Sequence, residues 1–323
     1  MEIESERINM KDIVKVGLIG VGNMGKNHLR VLSILKNVHL EFIYDKDNDI
    51  LDKFNKQYSV RKSKDLKEDL KTVDAVVIST PTSTHYEYFQ LVYPYVKNIF
   101  IEKPISHDLK TSEKILNISR ENNINLHVGF IERFNGTVIS LKKLLKETEK
   151  VINVDFMRTN KVSSRITDVD VITDLMIHDI DLALLINGDV KDVFSYGTRE
   201  NGMIAFACAV LTHKNGQFSK LTASRITEKR IRQINATCED MFIDCCLLRK
   251  EVIVNRQTVD QSYRDVFLSS TQETIEVSNQ EALLSEQVAF IESIISPEKE
   301  NISAKAVDGV NAMKIANLIQ ENI

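Results

Sequence analysis

At 323 residues, with 43% hydrophobic and 27% charged side chains, the chain carries enough material for two domains with cores of their own. A formal charge of −4 argues against the concentrated basic face of a nucleic-acid binder, and no apolar run approaches a membrane span in length. Cysteines at 208, 238, 245 and 246 lack metal-site spacing and read as small apolar fillers, while residues 1–11 alternate charges without an apolar stretch, so the expectation is a cytoplasmic protein with a short N-terminal extension.

The first strand-like run, Val14–Ile19, leads into Gly20, Gly22 and Gly25, with a helix from Lys26 to about Leu35. In such a turn the first glycine permits the tight bend and the second lets backbone approach a pyrophosphate. The third lets helix and strand pack closely, and the N–H groups of Asn23, Met24 and the helix start face the phosphates. The next run, Leu40–Tyr44, ends at Asp45, where a ribose diol would lie. An acid there accepts both hydroxyls and favours NAD. Lys46 just past it leaves NADP open.

Further short runs at Ala75–Ser79, Ile99–Ile101 and Asn125–Gly129 alternate with helical segments Asp47–Gln57, His85–Val96 and Leu109–Asn122. This alternation predicts a doubly wound parallel sheet over residues 12–132. Each of the three runs ends in polar residues where an open α/β sheet binds its ligand: Thr80-Pro81-Thr82-Ser83-Thr84-His85, Glu102-Lys103-Pro104 and Glu132-Arg133-Phe134-Asn135. Thr82 or Ser83 could cap the following helix. Pro104 restricts the backbone of Lys103.

Past about Lys150 the pattern changes. A helical block, Ile172–Ile186, precedes long β-rich runs at Val190–Tyr196, Met203–Leu211, Phe218–Ile226, Arg230–Cys238 and Glu251–Val254, which predict a large, mostly antiparallel open sheet over residues 133–305. Helices near Gln280–Ile295 and Ser303–Gln320 close the chain, the last assigned to residues 306–323. In Ile172–Ile186, ten of fifteen residues are apolar, yet Asp174, His178 and Asp181 recur at i, i+4 and i+7. Acids on a mostly buried helix need partners, and Lys103, protonated His178 or ligand hydroxyls are candidates. A structural network or an Asp/His metal site is the alternative, although no fourth-ligand motif accompanies the stripe.

With these motifs assembled, the chain resembles the Gfo/Idh/MocA oxidoreductases along nearly its whole length. The resemblance rests on GVGNMGKNH at 20–28, Thr80-Pro81, Glu102-Lys103-Pro104, Gly129 to Asn135, Asp174-x-x-x-His178-Asp179-x-Asp181 and the final helix. It implies an α/β protein: an N-terminal Rossmann domain, then an α/β domain whose open sheet pairs copies into a homo-dimer or homo-tetramer. It also implies hydride transfer between NAD or NADP and a sugar or polyol hydroxyl, without a metal. By position, Lys103 matches the family's catalytic-centre lysine, His178 its acid/base and Asp174 its substrate-binding acid. Gly20, Gly22, Asn23, Met24, Gly25, Asp45, Thr80, Pro81, Thr82, His85, Glu102 and Lys103 fall on the cofactor side.

Within the family, Arg133-Phe134-Asn135, Arg165, Asp168 and Asp174–Asp181 look most like the branch acting on sugar nucleotides, UDP-N-acetylglucosamine 3-dehydrogenase-like proteins. Gly136, where relatives commonly carry proline, and Asp170, where many carry glycine, depart from that pattern, as does the loop Thr159–Thr167. A nucleotide sugar needs cations for its diphosphate. Arg133, Arg158, Lys161 and Arg165 precede the helix, and Arg133 and Arg165 sit beside matched elements, so both are expected to bind substrate with Lys103, Asp174 and His178. The rival readings are an inositol or simple-sugar dehydrogenase, a reductase of a non-sugar ketone, and a cofactor-binding regulator without catalysis.

Overall fold

The computed structural model describes residues 13–148, 150–161, 169–262, 265–299 and 301–323. In chain order the elements are β1 (Val14–Ile19), α1 (Gly25–Leu32), β2 (Val38–Tyr44), α2 (Asn48–Tyr58), α3 (Leu66–Leu70), β3 (Ala75–Ile78), α4 (His85–Val92), β4 (Asn98–Glu102), α5 (Leu109–Glu121) and β5 (Asn125–Gly129). There follow α6 (Gly136–Leu144), β6 (Val151–Thr159), a π-helical turn (Ile172–Met176) continuing into α7 (Ile177–Asn187), β7 (Val190–Glu200), β8 (Met203–His213), β9 (Phe218–Ser224) and β10 (Ile231–Cys238). The chain ends with β11 (Met241–Cys246), β12 (Glu251–Ser262), β13 (Asp265–Ile275), α8 (Ala282–Ile295), β14 (Ala304–Lys305) and α9 (Ala306–Glu321).

The chain divides into two compact units, one running through Ile131 and including Leu283–Val310, the other made of Glu132–Ala282 and Asn311–Ile323. The first holds a sheet of order β14-β5-β4-β3-β1-β2, parallel throughout except for β14, the doubly wound arrangement that the alternating pattern predicts. Val16, Leu18, Val77 and Phe100 fill its core together with Phe290 and Ile291 of α8, so this late helix completes the first unit rather than the second. Aspartates 47, 65 and 108 cap α2, α3 and α5 by accepting backbone N–H groups, which fixes where these helices begin.

The second unit holds an eight-stranded sheet, β13-β12-β11-β10-β6-β9-β8-β7, antiparallel except where β6 and β9 run side by side in parallel. Three of its strands, β6, β11 and β13, are absent from the sequence reading. β6 and β11 carry Asp155 and Asp244 on half-exposed positions, and polar residues outweigh apolar ones in β13. All four cysteines are free, and burial pushes the Cys245 thiol up to about 12, as befits a packing residue.

One buried group of the first unit gives stability a pH signature. The His127 imidazole on β5 accepts a hydrogen bond from Lys305 Nζ and lies edge-on to Phe290, and burial together with the Lys305 charge lowers its pKa to about 3. An unfolded histidine titrates near ~6.5. Between those values the unfolded chain therefore holds one more proton than the folded one, and stability falls as pH drops below ~6.5, at up to about 1.4 kcal/mol per pH unit from this residue. Chemical denaturation at pH 7.5 and 5.5 should show a smaller pH-dependent loss in His127→Gln than in the parent protein.

Candidate functional site

In the first unit the glycine-rich turn sits at the carboxyl end of β1. Gly20 has φ +89°, and a side chain there would stand 2.8 Å from the Ser79 carbonyl carbon. Gly25 opens α1 so close to β1 that a Cβ would lie 2.0 Å from the Gly20 oxygen. At Gly22 a Cβ would meet nothing within 4 Å, leaving open space against the backbone as a pyrophosphate requires. Asn23 and Met24 are exposed beside it.

Asp45 is anchored from both sides. Val21 N–H donates to Oδ2 at 2.8 Å and Asp47 N–H to Oδ1 at 3.0 Å, so the acid faces a cavity of about 290 Å³ with its orientation set by backbone. Gly20, Gly22, Thr80 and Pro81 line the same cavity, along with Tyr88, whose ring lies 5.8 Å from the Lys46 ammonium. Thr82–Thr84 forms a single 3-10 turn closed by Thr84 N–H on the Pro81 carbonyl. Neither Thr82 nor Ser83 caps α4, contrary to the reading of the sequence.

Two residues expected on the cofactor side serve the scaffold instead. Glu102 is buried, 2.7 Å from His28 Nε2, and also accepts the Lys103 N–H at 3.1 Å. Burial raises its pKa, but the bond from His28 and the nearby Lys103 charge more than offset this and hold it below the usual carboxylate range. The His85 ring is likewise buried, with Nδ1 2.9 Å from the Pro104 carbonyl and Nε2 2.9 Å from the Thr80 carbonyl. It therefore ties the Thr80-Pro81 loop to the Lys103-Pro104 loop, whose peptide bond is cis. Lys103 itself remains half-exposed at the end of β4.

In the second unit the π turn and α7 carry the expected acids, but not as one stripe. From Val171 to Ala183 every residue is buried except Asp174 and His178. Asp181 is 1% exposed and bonded to Arg133, with Nε to Oδ2 at 2.8 Å and Nη2 to Oδ1 at 2.6 Å. The π turn is the reason: its wider coil brings Asp174 into line with His178, whereas three α-helical residues advance only about 300°, leaving Asp181 off that line. Asp170 explains its departure from glycine. Its Oδ1 accepts the N–H groups of Ile172 and Thr173, both at 3.0 Å, and so starts the helix. Gly136 is explained too, since a Cβ there would lie 2.5 Å from the Ser278 carbonyl oxygen.

The arginines offered to a diphosphate are engaged elsewhere. Arg158 is 2% exposed and clasped between Asp179 (Nη2 to Oδ1, 2.8 Å) and Glu132 (Nη1 to Oε1, 2.8 Å). Burial alone would lower its pKa, but these two acids outweigh burial and keep it protonated. Arg133 holds Asp181 with a bidentate fork, and Lys161 pairs with Glu228. The expected diphosphate role of Arg133 is therefore replaced by a structural one, because its fork is already matched to a carboxylate in the protein interior. Arg165 and Asp168 lie outside the described residues. Missing from the sequence reading is Arg225, just past β9, whose Nη2 lies 3.7 Å from Asp174 Oδ2. A lone arginine at the end of a strand gives no signal in one dimension.

Residues 14–130 match the family model GFO_IDH_MocA, described as an oxidoreductase family with an NAD-binding Rossmann fold. The chain is 28% identical over 231 residues to UDP-N-acetylglucosamine 3-dehydrogenase of Acidithiobacillus ferrooxidans, covering 71% of this chain and 72% of that protein. It is 27% identical over 230 residues to myo-inositol 2-dehydrogenase of Thermotoga maritima, covering 66% and 69%. Among solved structures, the Acidithiobacillus ferrooxidans enzyme superposes with a TM-score of 0.85 at 24% identity, covering 96% of this chain and 98% of that one. An oxidoreductase from Agrobacterium radiobacter, solved with NAD+, L-tartaric acid and magnesium, superposes at 0.81 with 19% identity, covering 96% of each. The glycine turn, the anchored acid at the end of β2 and the sheet that holds them are thus an NAD-binding Rossmann domain of the kind that the matching family model describes.

Breaking the buried clasp has a defined cost. Arg158→Met leaves Asp179 and Glu132 without their shared cation and should destabilise the protein by about 3–5 kcal/mol. Thermal denaturation of the purified variant reads this directly, and a melting temperature unchanged within error would remove the clasp from the architecture.

Proposed function

We propose that the protein is an NAD-dependent dehydrogenase that oxidises a ring hydroxyl of a sugar, in the first place a nucleotide sugar such as a UDP-N-acetylhexosamine. The observation carrying this reading is the accessible pair Asp174 and His178 on a helix otherwise buried from Val171 to Ala183, in a family of NAD-binding oxidoreductases. Alcohol oxidation removes a proton from oxygen and a hydride from carbon, and the bound dinucleotide supplies the hydride acceptor. In this reading His178 takes the proton, Lys103 donates a hydrogen bond to the reacting oxygen, and Asp174 accepts from sugar hydroxyls and orients the ring. The second reading is a simple-sugar or inositol dehydrogenase. The engagement of Arg133 and Arg158 with acids of their own unit favours it, as does similarity to a myo-inositol 2-dehydrogenase.

Turnover measured with UDP-N-acetylglucosamine, UDP-N-acetylgalactosamine, glucose and myo-inositol separates the two readings. With the best substrate, His178→Asn and Lys103→Met should each lower kcat by on the order of a hundredfold or more while leaving cofactor affinity within a few fold. Near-parental turnover in either variant would show that the reaction is centred elsewhere.

The cofactor preference follows from Asp45. Its carboxylate is held by two backbone N–H groups at the cavity, where it accepts ribose hydroxyls and repels a 2′-phosphate. NAD should bind about tenfold or more tighter than NADP, equivalent to about 1.4 kcal/mol. Fluorescence titration of both reduced cofactors should show that gap shrink in Asp45→Ala. Tighter binding of NADP by the parent protein would mean that Lys46 governs the site instead.

A further inference from the structure

Arg225 presents a physical problem that the fold does not solve by itself. Its side chain is only 9% exposed, and its Nε, Nη1 and Nη2 atoms are buried without a hydrogen-bond acceptor. Every other buried arginine described above has its fork matched to carboxylates at 2.6–3.1 Å. Among the described residues Arg225 has only Asp174, at 3.7 Å, a charge partner too distant for a hydrogen bond. A guanidinium carries five N–H donors, and burying them unsatisfied costs several kcal/mol. The backbone fixes this arrangement. Arg225 N–H donates to the Ala205 carbonyl at 2.9 Å, and Ser224 Oγ accepts from Thr227 N–H at 3.1 Å, so the turn after β9 is held on both sides of the residue.

We propose that Arg225 and Asp174 form a hydroxyl-reading subsite, in which one substrate hydroxyl seats between them, accepting from the guanidinium and donating to the carboxylate. The inference rests on the sugar or polyol reading of the protein and adds to it a specificity-determining residue. Two features select the ligand chemistry. The pair is neutral as a whole, so a phosphate or carboxylate would gain from Arg225 and lose to Asp174. A carbonyl oxygen only accepts and engages Arg225 alone, whereas a hydroxyl accepts from Arg225 and also donates to Asp174. Asp174 keeps 17% of its side chain exposed against 9% for Arg225, so the approach is from the aspartate's side. A site built to hydrogen-bond a hydroxyl rejects the analogue that lacks it far more strongly than an apolar pocket rejects a missing methylene.

The test uses the full-length protein, the parent and Arg225→Met and Arg225→Lys. Kinetics are run with the best substrate of the panel above and with its monodeoxy analogues. Arg225→Met should raise KM about tenfold or more for the parent sugar with a smaller change in kcat, and Arg225→Lys should recover part of that. For one analogue, lacking the bridged hydroxyl, the parent protein and Arg225→Met should differ by less than about twofold, because the interaction is already gone. Equal losses on every analogue, or none on any, overturn the subsite. Thermal denaturation without substrate separates this failure from failure of the dehydrogenase reading. With no hydrogen-bond acceptor for Arg225 among the described residues, Arg225→Met should melt within about 2 °C of the parent or above it, in contrast to Arg158→Met. A drop as large as that of Arg158→Met would make Arg225 a structural cation and overturn the proposal, whatever substrates the enzyme turns over.

Discussion

The guanidinium of Arg158, clasped between Asp179 and Glu132, is the constraint on which the second unit is built. A helix that is nearly all apolar and buried cannot carry acids toward its packed side unless each meets a cation there. Arg158 on β6 meets Asp179, and Arg133 meets Asp181, so both inward-facing acids of α7 are neutralised by arginines from neighbouring segments. Glu132 offsets the second charge of the cluster, and Arg232 stands 3.5 Å from it at the edge. What this network leaves facing outward is Asp174 and His178. Removing charges from the surface inventory in this way determines which side chains can do chemistry.

The first unit uses the same logic with smaller parts. Glu102 and His28 bind each other beneath the end of β4, so the last buried position of the strand is a satisfied polar pair rather than a ligand contact. Because that pair also accepts the Lys103 N–H, the backbone of the lysine is set before its side chain begins. His85 performs the equivalent service between two loops by bridging the carbonyls of Thr80 and Pro104. A neutral imidazole has one N–H for two carbonyls. Burial pushes the His85 pKa down, whereas the bonds to both carbonyls favour the protonated ring that can donate to each.

Much of this was legible in one dimension. The Rossmann unit announces itself because each function of the turn demands a particular glycine, and the spacing to Asp45 follows from the length of one helix and one strand. β1 and β5 run from Val14 to Ile19 and from Asn125 to Gly129, as the apolar runs do. The pair Asp174 and His178 was legible as polar residues in an apolar helix. The failures share a cause. A stripe drawn at α-helical spacing joined Asp181 to Asp174 and His178, and the π turn that separates them has no sequence signature. Likewise Arg133 and Arg158 were offered to a ligand because a sequence shows a cation without showing the acid opposite it. Asp181 and Asp179 lie 48 and 21 residues away, respectively.

The contrast between Arg158 and Arg225 turns that lesson into a criterion. Both are arginines at or just past the end of a central strand, both are nearly inaccessible, and neither stands out by sequence context. They differ only in what their nitrogens reach. Arg158 makes four contacts to oxygens of two acids at hydrogen-bonding range where its charge is needed to close the fold. Arg225 meets one carboxylate at arm's length, and its turn holds it there. A buried cation whose donors are all matched belongs to the architecture. One held rigidly with its donors unmatched implies that the remaining acceptors arrive with something else, and its neighbour Asp174 indicates that this something carries a hydroxyl.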